Sequence, residues 1–484
     1  MRILFVTSEA YPLIKTGGLA DVSGSLPAAI AEMGEDIRIL IPGYPLVLEK
    51  LINPRVLASI SDLPVINSVT IISGEMPETK VPVLAINCPS LYQRAGGPYV
   101  DTNGVDWGDN ALRFGILSKI AAILGTSNSY IQDWIPDIVH CNDWQSALTP
   151  AYLKFMGVEH AKSVVSIHNM AFQGCFPSNW LSQLELPYSC YQMNGLEYYG
   201  QISFLKAGLY YCDVITTVSP TYAKEIQTEN YGFGMQGLLS HRSHEIHGIL
   251  NGIDIHEWDP SKDHYLDTHY SHKSLDKKRE VKQSLQKQLD LTVDNDAPLL
   301  GIVSRLTYQK GLDMFLSVAE KILKQGCQIA LLGSGEKKLE DGFIALKMKY
   351  PDKVSINIGY NEPLSHAIMA GSDLFIMPSR FEPCGLNQMY GLRYGTPPVV
   401  TNTGGLADSI RDTTPESISK HEATGFVMDN VSEQGLLSSI QRALGYYENK
   451  EIWRGIQLNG MRKDLSWKKS AREYLAIYKT LLAK

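Results

Sequence analysis

The sequence predicts an α/β protein built on two open parallel sheets, and three observations carry that expectation. Apolar runs of four to six residues recur along the chain, each closed by turn chemistry, as expected of strands buried on both faces. Helical patterns separate these runs, the signature of βαβ units. The whole pattern starts again after residue 296, so one sheet is followed by another. A length of 484 residues accommodates both.

In the first half the runs are RILFV at the start, then IRILIP, VPVLAIN, DIVHCND, SVVSIHN and VITTVS. NALRFGILSKIAAIL is a helix between two of them, and a helix is expected from about Asp21. The second half repeats the scheme with LLGIVSRL, IALLG, VSINIGY, LFIMPS and PPVVTN, and with GLDMFLSVAEKILKQG as a helix. These patterns predict an N-terminal domain over 1–255 and a C-terminal domain over 297–460. A polar segment, 256–296, connects them and contains the amphipathic stretch KREVKQSLQKQL. Residues 461–484 form a terminal helix that packs on one domain or across both.

Composition narrows the function. Hydrophobic residues make up 44% and charged residues 20%, values that exclude a disordered or fibrous chain. A formal charge of −7 supplies no general attraction for nucleic acid or for an anionic membrane. The apolar run Ile3 to Val6 is too short for a signal peptide, and no stretch is long enough to span a bilayer. Seven scattered cysteines without a C-x-x-C pair suit a reducing cytoplasm better than a disulfide framework.

One hexapeptide occurs twice: Thr16-Gly17-Gly18-Leu19-Ala20-Asp21 and Thr403-Gly404-Gly405-Leu406-Ala407-Asp408. Each copy follows an apolar run and opens a helix. Paired glycines at a helix start expose backbone N–H groups to an anion, although a tight turn alone also uses glycine. Lys15 precedes the first copy. Arg305 and Lys310, in RLTYQKG, follow the first strand of the second half, at the carboxyl end where open α/β sheets bind ligands. Two cations there can stabilise a diphosphate leaving group without a metal.

Glu382 follows another strand, in FEPCGL. It can hold a sugar hydroxyl or balance an oxocarbenium charge, or it can cap the next helix. Cys384 has no His near it in sequence to activate its thiol. Metal ligands are not expected. His241, His244 and His247 lack a carboxylate in their spacing, and Asp294-Asn295-Asp296 precedes a strand rather than following one, as turn chemistry would have it.

KTGGLADV, RLTYQKG, FEPCGL and the second TGGLAD together resemble the bacterial glycogen synthase and plant starch synthase family, glycosyltransferase family 5, along the full length. The resemblance implies the GT-B architecture, two Rossmann-like domains facing an interdomain cleft. It implies retaining transfer of glucose from ADP-glucose to the non-reducing end of an α-1,4-glucan such as glycogen, in the cytoplasm and without a cofactor. Without a transit-peptide-like start, the bacterial branch is the nearer expectation.

The same resemblance assigns Lys15, Gly17 and Gly18 to the sugar nucleotide, and Arg305 and Lys310 to its diphosphate. Glu382, with the backbone at Cys384 and Gly385, positions the donor glucose. His168 faces the anomeric region and Tyr360 lies by the adenine. Asp21, Asp143 and Asn251 match further polar positions, and Thr403 and Gly404 belong to the second glycine loop. Asn142 and Gln145 stand where many relatives have His, and Asn387 where Thr is usual. Tyr390 occupies a position that often carries a second Glu in other retaining GT-B enzymes.

Overall fold

The computed structural model describes residues 1–61, 63 and 65–483, and they divide into two compact units. The first comprises 1–252 and 467–484, the second 253–466.

The first unit is built on a nine-stranded sheet. Its spatial order is Ile246–Gly248, Val214–Thr217, Lys162–Ile167, Ile138–Asn142, Arg2–Val6, Asp36–Pro42, Pro82–Asn87, Ser68–Glu75 and Ile52–Ser61. The first seven are parallel; the last two add an antiparallel edge. Sequence reading did not find this edge, because Ile52–Ser61 is largely exposed and lacks the continuous apolar signal of a central strand. Arg2–Val6 and Ile138–Asn142 are buried almost throughout. The helix Gly18–Glu32 begins three residues before the expected start.

The terminal helix Trp467–Leu482 belongs to this unit and packs on Gly18–Glu32. Its buried Tyr478 hydroxyl lies 2.7 Å from His140 Nδ1, whose other nitrogen is 2.6 Å from Ser166 Oγ. Burial, with nearby His168 adding to it, pulls the His140 pKa down to about 3.

The second unit carries a six-stranded, wholly parallel sheet ordered Val354–Ile358, Gln328–Gly333, Leu299–Val303, Leu374–Met377, Pro398–Val400, Phe426–Val427. In chain order this is 3-2-1-4-5-6, the doubly wound arrangement. The seven parallel strands of the first unit follow the same scheme, with one strand more. In both sheets the winding direction reverses beside the first strand, and the loops on either side of that point diverge to leave a crevice.

Residues 256–296, expected as a connection, lie within the second unit. The helix Lys278–Gln288 turns two of its three lysines inward: Lys278 Nζ donates to Ala370 O and to Thr396 Oγ1, and Lys282 lies 2.6 Å from Asp373. These buried partners satisfy charges that composition alone reads as solvated. Asp294-Asn295-Asp296 forms a turn in which Asp294 Oδ1 accepts from the N–H groups of Asp296 and Ala297. Among the described residues no helix is long and apolar enough to cross a membrane.

Candidate active site

In the second unit the reversal point lies between Leu299–Val303 and Leu374–Met377. The loops leaving these strands carry Arg305 and Lys310 on one side and Ser379 and Glu382 on the other. They border a cavity of about 180 Å³ lined by Ser304, Arg305, Lys310, Pro378, Ser379 and Asn387, among others. Lys310 Nζ is 2.5 Å from Glu382 Oε2, which also accepts from Ser379 Oγ at 3.1 Å. Both charged side chains are mostly buried, whereas Arg305 is exposed at the cavity.

Local structure explains why Lys310 arrives there. Gly311 adopts φ +70°, and a Cβ on it would lie 2.1 Å from Pro378 O. Only glycine lets the two loops approach this closely. Arg380 then fastens them: it pairs with Asp313 through both terminal nitrogens, at 2.7 and 2.8 Å, donates to Tyr308 O and stacks over the Tyr308 ring. Arg380 was not singled out from sequence; its signal is the bidentate partner 67 residues away, which only the fold reveals.

Glu382 does not cap a helix. The next helix, Asn387–Arg393, starts after Leu386 and has no side-chain cap. The second glycine loop meets the same segment, since Gly405 N–H donates to the carbonyls of Glu382 and Pro383, at 3.2 and 3.0 Å. A Cβ on Gly404 would lie 2.0 Å from Glu382 O, and one on Gly405 2.2 Å from Cys384 O. In this copy the glycines let the chain's own backbone come close, which differs from the anion cradle the motif suggested. Gly385 has φ +69°. Asn387 Nδ2 donates to Val303 O at 2.8 Å. Tyr390 stacks on Trp258 at 3.7 Å, so the position that could have held a second carboxylate is a packing position.

Tyr360 stands apart from this cluster. It is 78% exposed in the loop after Val354–Ile358, and its hydroxyl donates to Glu362.

The reversal point of the first unit lies between Arg2–Val6 and Ile138–Asn142, and there too the following loops carry polar groups. Glu9, missed in the sequence, is buried and organises the first glycine loop. Its carboxylate accepts from Thr16 N–H at 2.6 Å, from Gly17 N–H at 3.1 Å, from Thr16 Oγ1 and from Tyr99 OH. Part of the expected cradle is therefore filled by the protein's own carboxylate. Gly17 and Gly18 are open beyond it: among the described residues nothing outside the adjoining chain lies within 4 Å of a Cβ position. Lys15 pairs with Asp21 at 2.8 Å.

Asp143, after the neighbouring strand, takes φ +56° and ψ −175°, a conformation ordinary residues avoid. Its Oδ1 accepts from the backbone N–H of His168 at 2.7 Å. Burial raises the Asp143 carboxyl to about 7, against the pull of the His168 and Asn169 N–H groups, and Glu9 raises it further. His168 Nε2 is 3.0 Å from Asn142 Oδ1, while the Asn142 amide nitrogen donates to Val6 O. That orientation leaves Asn142 an acceptor, so the His168 proton sits on Nε2. Burial lowers the His168 pKa to about 4, keeping the ring neutral. Asn251 lies beyond the edge strand Ile246–Gly248, buried, with no hydrogen-bond partner for Oδ1 among the described residues.

Residues 2–241 match the family described as the starch synthase catalytic domain, and residues 285–454 match glycosyl transferases group 1. A glycogen synthase of Nitrosomonas eutropha is 50% identical over 487 residues, spanning 100% of this chain and 97% of that protein. One from Nitrosospira multiformis is also 50% identical, with the same coverage. The catalytic domain of starch synthase IV from Arabidopsis thaliana, solved bound to ADP and acarbose, superposes with a TM-score of 0.89 at 31% identity, covering 100% of this chain and 99% of that one. A sucrose-phosphate synthase from Thermosynechococcus elongatus, 16% identical with a TM-score of 0.58, shares the fold. The chain thus belongs to the glycogen and starch synthase family, and is a glycosyltransferase of the GT-B fold.

Proposed function

We propose that the chain transfers glucose from ADP-glucose to the non-reducing end of an α-1,4-glucan such as glycogen, in the cytoplasm, and that the crevice of the second unit receives the donor. The observation that carries this reading is the Lys310–Glu382 pair beside Arg305, where the winding of the sheet reverses. Arg305 and Lys310 neutralise the diphosphate as it departs, an arrangement that concentrates fixed charge where charge develops. Glu382 and the backbone around Cys384 and Gly385 hold the glucose hydroxyls, on a floor made by Thr403 and Gly404. Tyr360 offers an exposed ring for the adenine to stack on.

In the first unit, Lys15, Asp21 and the Gly17–Gly18 turn are assigned to the sugar nucleotide. Asp143 and Asn251 take sugar hydroxyls. Neutral His168 addresses the glucose being transferred. The acceptor 4-hydroxyl attacks the anomeric carbon on the face that ADP leaves: the carbon–oxygen bond to phosphate breaks, the new glycosidic bond forms, and a phosphate oxygen takes the hydroxyl proton. This gives retention without a second carboxylate. Radiolabelled transfer onto glycogen from ADP-glucose and UDP-glucose, measured side by side, tests the reading. Efficient transfer from ADP-glucose is expected, and transfer from neither donor would overturn it.

A further inference from the structure

His241, His244 and His247, the histidines weighed as ligands on sequence, lie on a short helix, a turn and an edge strand. A different set of groups gathers in the second unit. The donor atoms of Glu257, Glu362 and His366 lie within 4.8 Å of one another. His366 is completely buried, and among the described residues its Nε2 has no hydrogen-bond partner. A buried polar nitrogen left in this state costs free energy unless something binds it.

The surroundings fix what that nitrogen offers. His366 Nδ1 is 2.8 Å from Asp263 Oδ2, and Tyr394 OH donates to the same oxygen at 2.5 Å. A carboxylate behind Nδ1 holds a proton there, so an ion that displaces any proton on Nε2 takes up its lone pair, the arrangement found behind metal-bound imidazoles. The ring is clamped face to face against Trp258 at 3.8 Å. Nε2 is 3.7 Å from Glu362 Oε1. Donor atoms around a tetrahedral ion with bonds of about 2.1 Å stand roughly 3.4 Å apart, so this pair is within a few tenths of an ångström of ligating distance. Glu257 and Glu362 are only partly buried, which leaves an approach from solvent.

We propose that Glu257, Glu362 and His366 bind a divalent transition-metal ion such as Zn2+, with Asp263 orienting the imidazole. One nitrogen and two carboxylates suit Zn2+ better than Mg2+ or Ca2+, which prefer all-oxygen shells. The site draws only on the second unit and supplies no step of sugar transfer.

The test is equilibrium dialysis of the chelator-stripped full chain against Zn2+, with parallel arms in Mg2+ and Ca2+. His366 is too deeply packed to replace safely, so the variants are Glu257→Gln and Glu362→Gln, which keep the shape of the side chain. One Zn2+ per chain is expected, with affinity falling at least about tenfold in each variant. Visible absorption of the Co2+-loaded chain should fall in the same variants. Absence of bound Zn2+ would overturn the proposal and leave His366 as an imidazolium between two carboxylates. Zn2+ held equally by both variants would overturn it by placing the ion elsewhere. Preference for Mg2+ or Ca2+ would refute the donor-set argument.

Discussion

Lys310 and Glu382 lie 72 positions apart in the chain, yet their charged atoms are 2.5 Å from each other. The contact is produced by two neighbouring parallel strands that deliver their following loops side by side, and by a glycine at 311 that brings one loop against Pro378. The pair gives the cation a fixed direction before any ligand arrives. An ammonium group carries three donors, so Lys310 can keep Glu382 and still reach a phosphate oxygen.

Glu382→Gln should separate catalysis from binding, because it removes charge while nearly preserving shape. A carboxylate that balances charge at the anomeric carbon acts mainly in the transition state. The rate constant is expected to fall at least about a hundredfold, roughly 2.7 kcal/mol. The ADP dissociation constant should move less than about tenfold. Single-turnover transfer to glycogen and calorimetry with ADP measure the two quantities, and equal losses in both would remove Glu382 from the chemistry.

Arg305→Ala and Lys310→Ala should each lower turnover by about two to three orders of magnitude, the scale of removing a preorganised charge-stabilising group. Their melting behaviour should differ. Arg305 is exposed at the cavity, so its removal leaves the melt near wild type. Lys310→Ala strands the buried Glu382 carboxylate and should lower the melting temperature. Near-normal rates in folded variants would show that the donor binds elsewhere.

Gly311→Ala should damage the site through the backbone. The position has φ +70°, and the added Cβ would meet Pro378 O at 2.1 Å. A loss of more than about 1 kcal/mol in stability is expected, together with a fall in turnover, since Lys310 is the preceding residue. Denaturant unfolding and the transfer assay check the two effects.

The melting temperature should depend on pH through His140 and His168. Their folded pKa values, about 3 and about 4, lie below the ordinary 6.5 because both rings are buried. Between those values the unfolded chain binds more protons than the native one, so stability is lost as the pH falls from 6.5 towards 4. Asp143 has the opposite sign. Its folded pKa is raised from 3.8 to about 7, so the native state holds a proton that the unfolded chain has released, and stability falls as the pH rises across that window. The melting temperature of Asp143→Asn, relative to wild type, should therefore be higher at pH 8 than at pH 5. A difference that does not change with pH would refute the shifted carboxyl.

By itself, the sequence determined the parallel strands of two sheets and the placement of Arg305, Lys310 and Glu382 just after strands. Those are local properties, because an apolar run with turn chemistry at its end marks a buried strand and its exit without reference to the rest of the chain. The tertiary structure alone decided which strand lies beside which. Strand order puts Lys310 against Glu382, brings the Tyr99 hydroxyl to the Glu9 carboxylate that holds the first glycine loop, and presses Gly404 and Gly405 onto the Glu382–Cys384 backbone. Two copies of one hexapeptide thus meet different partners, a side chain in one case and a main chain in the other. The same reason explains residues 256–296: their polar composition reads as a connector, but Lys278, Lys282 and Asp263 find buried partners about a hundred residues away. Pairing at that range depends on the winding of the sheet, which no local pattern of residues encodes.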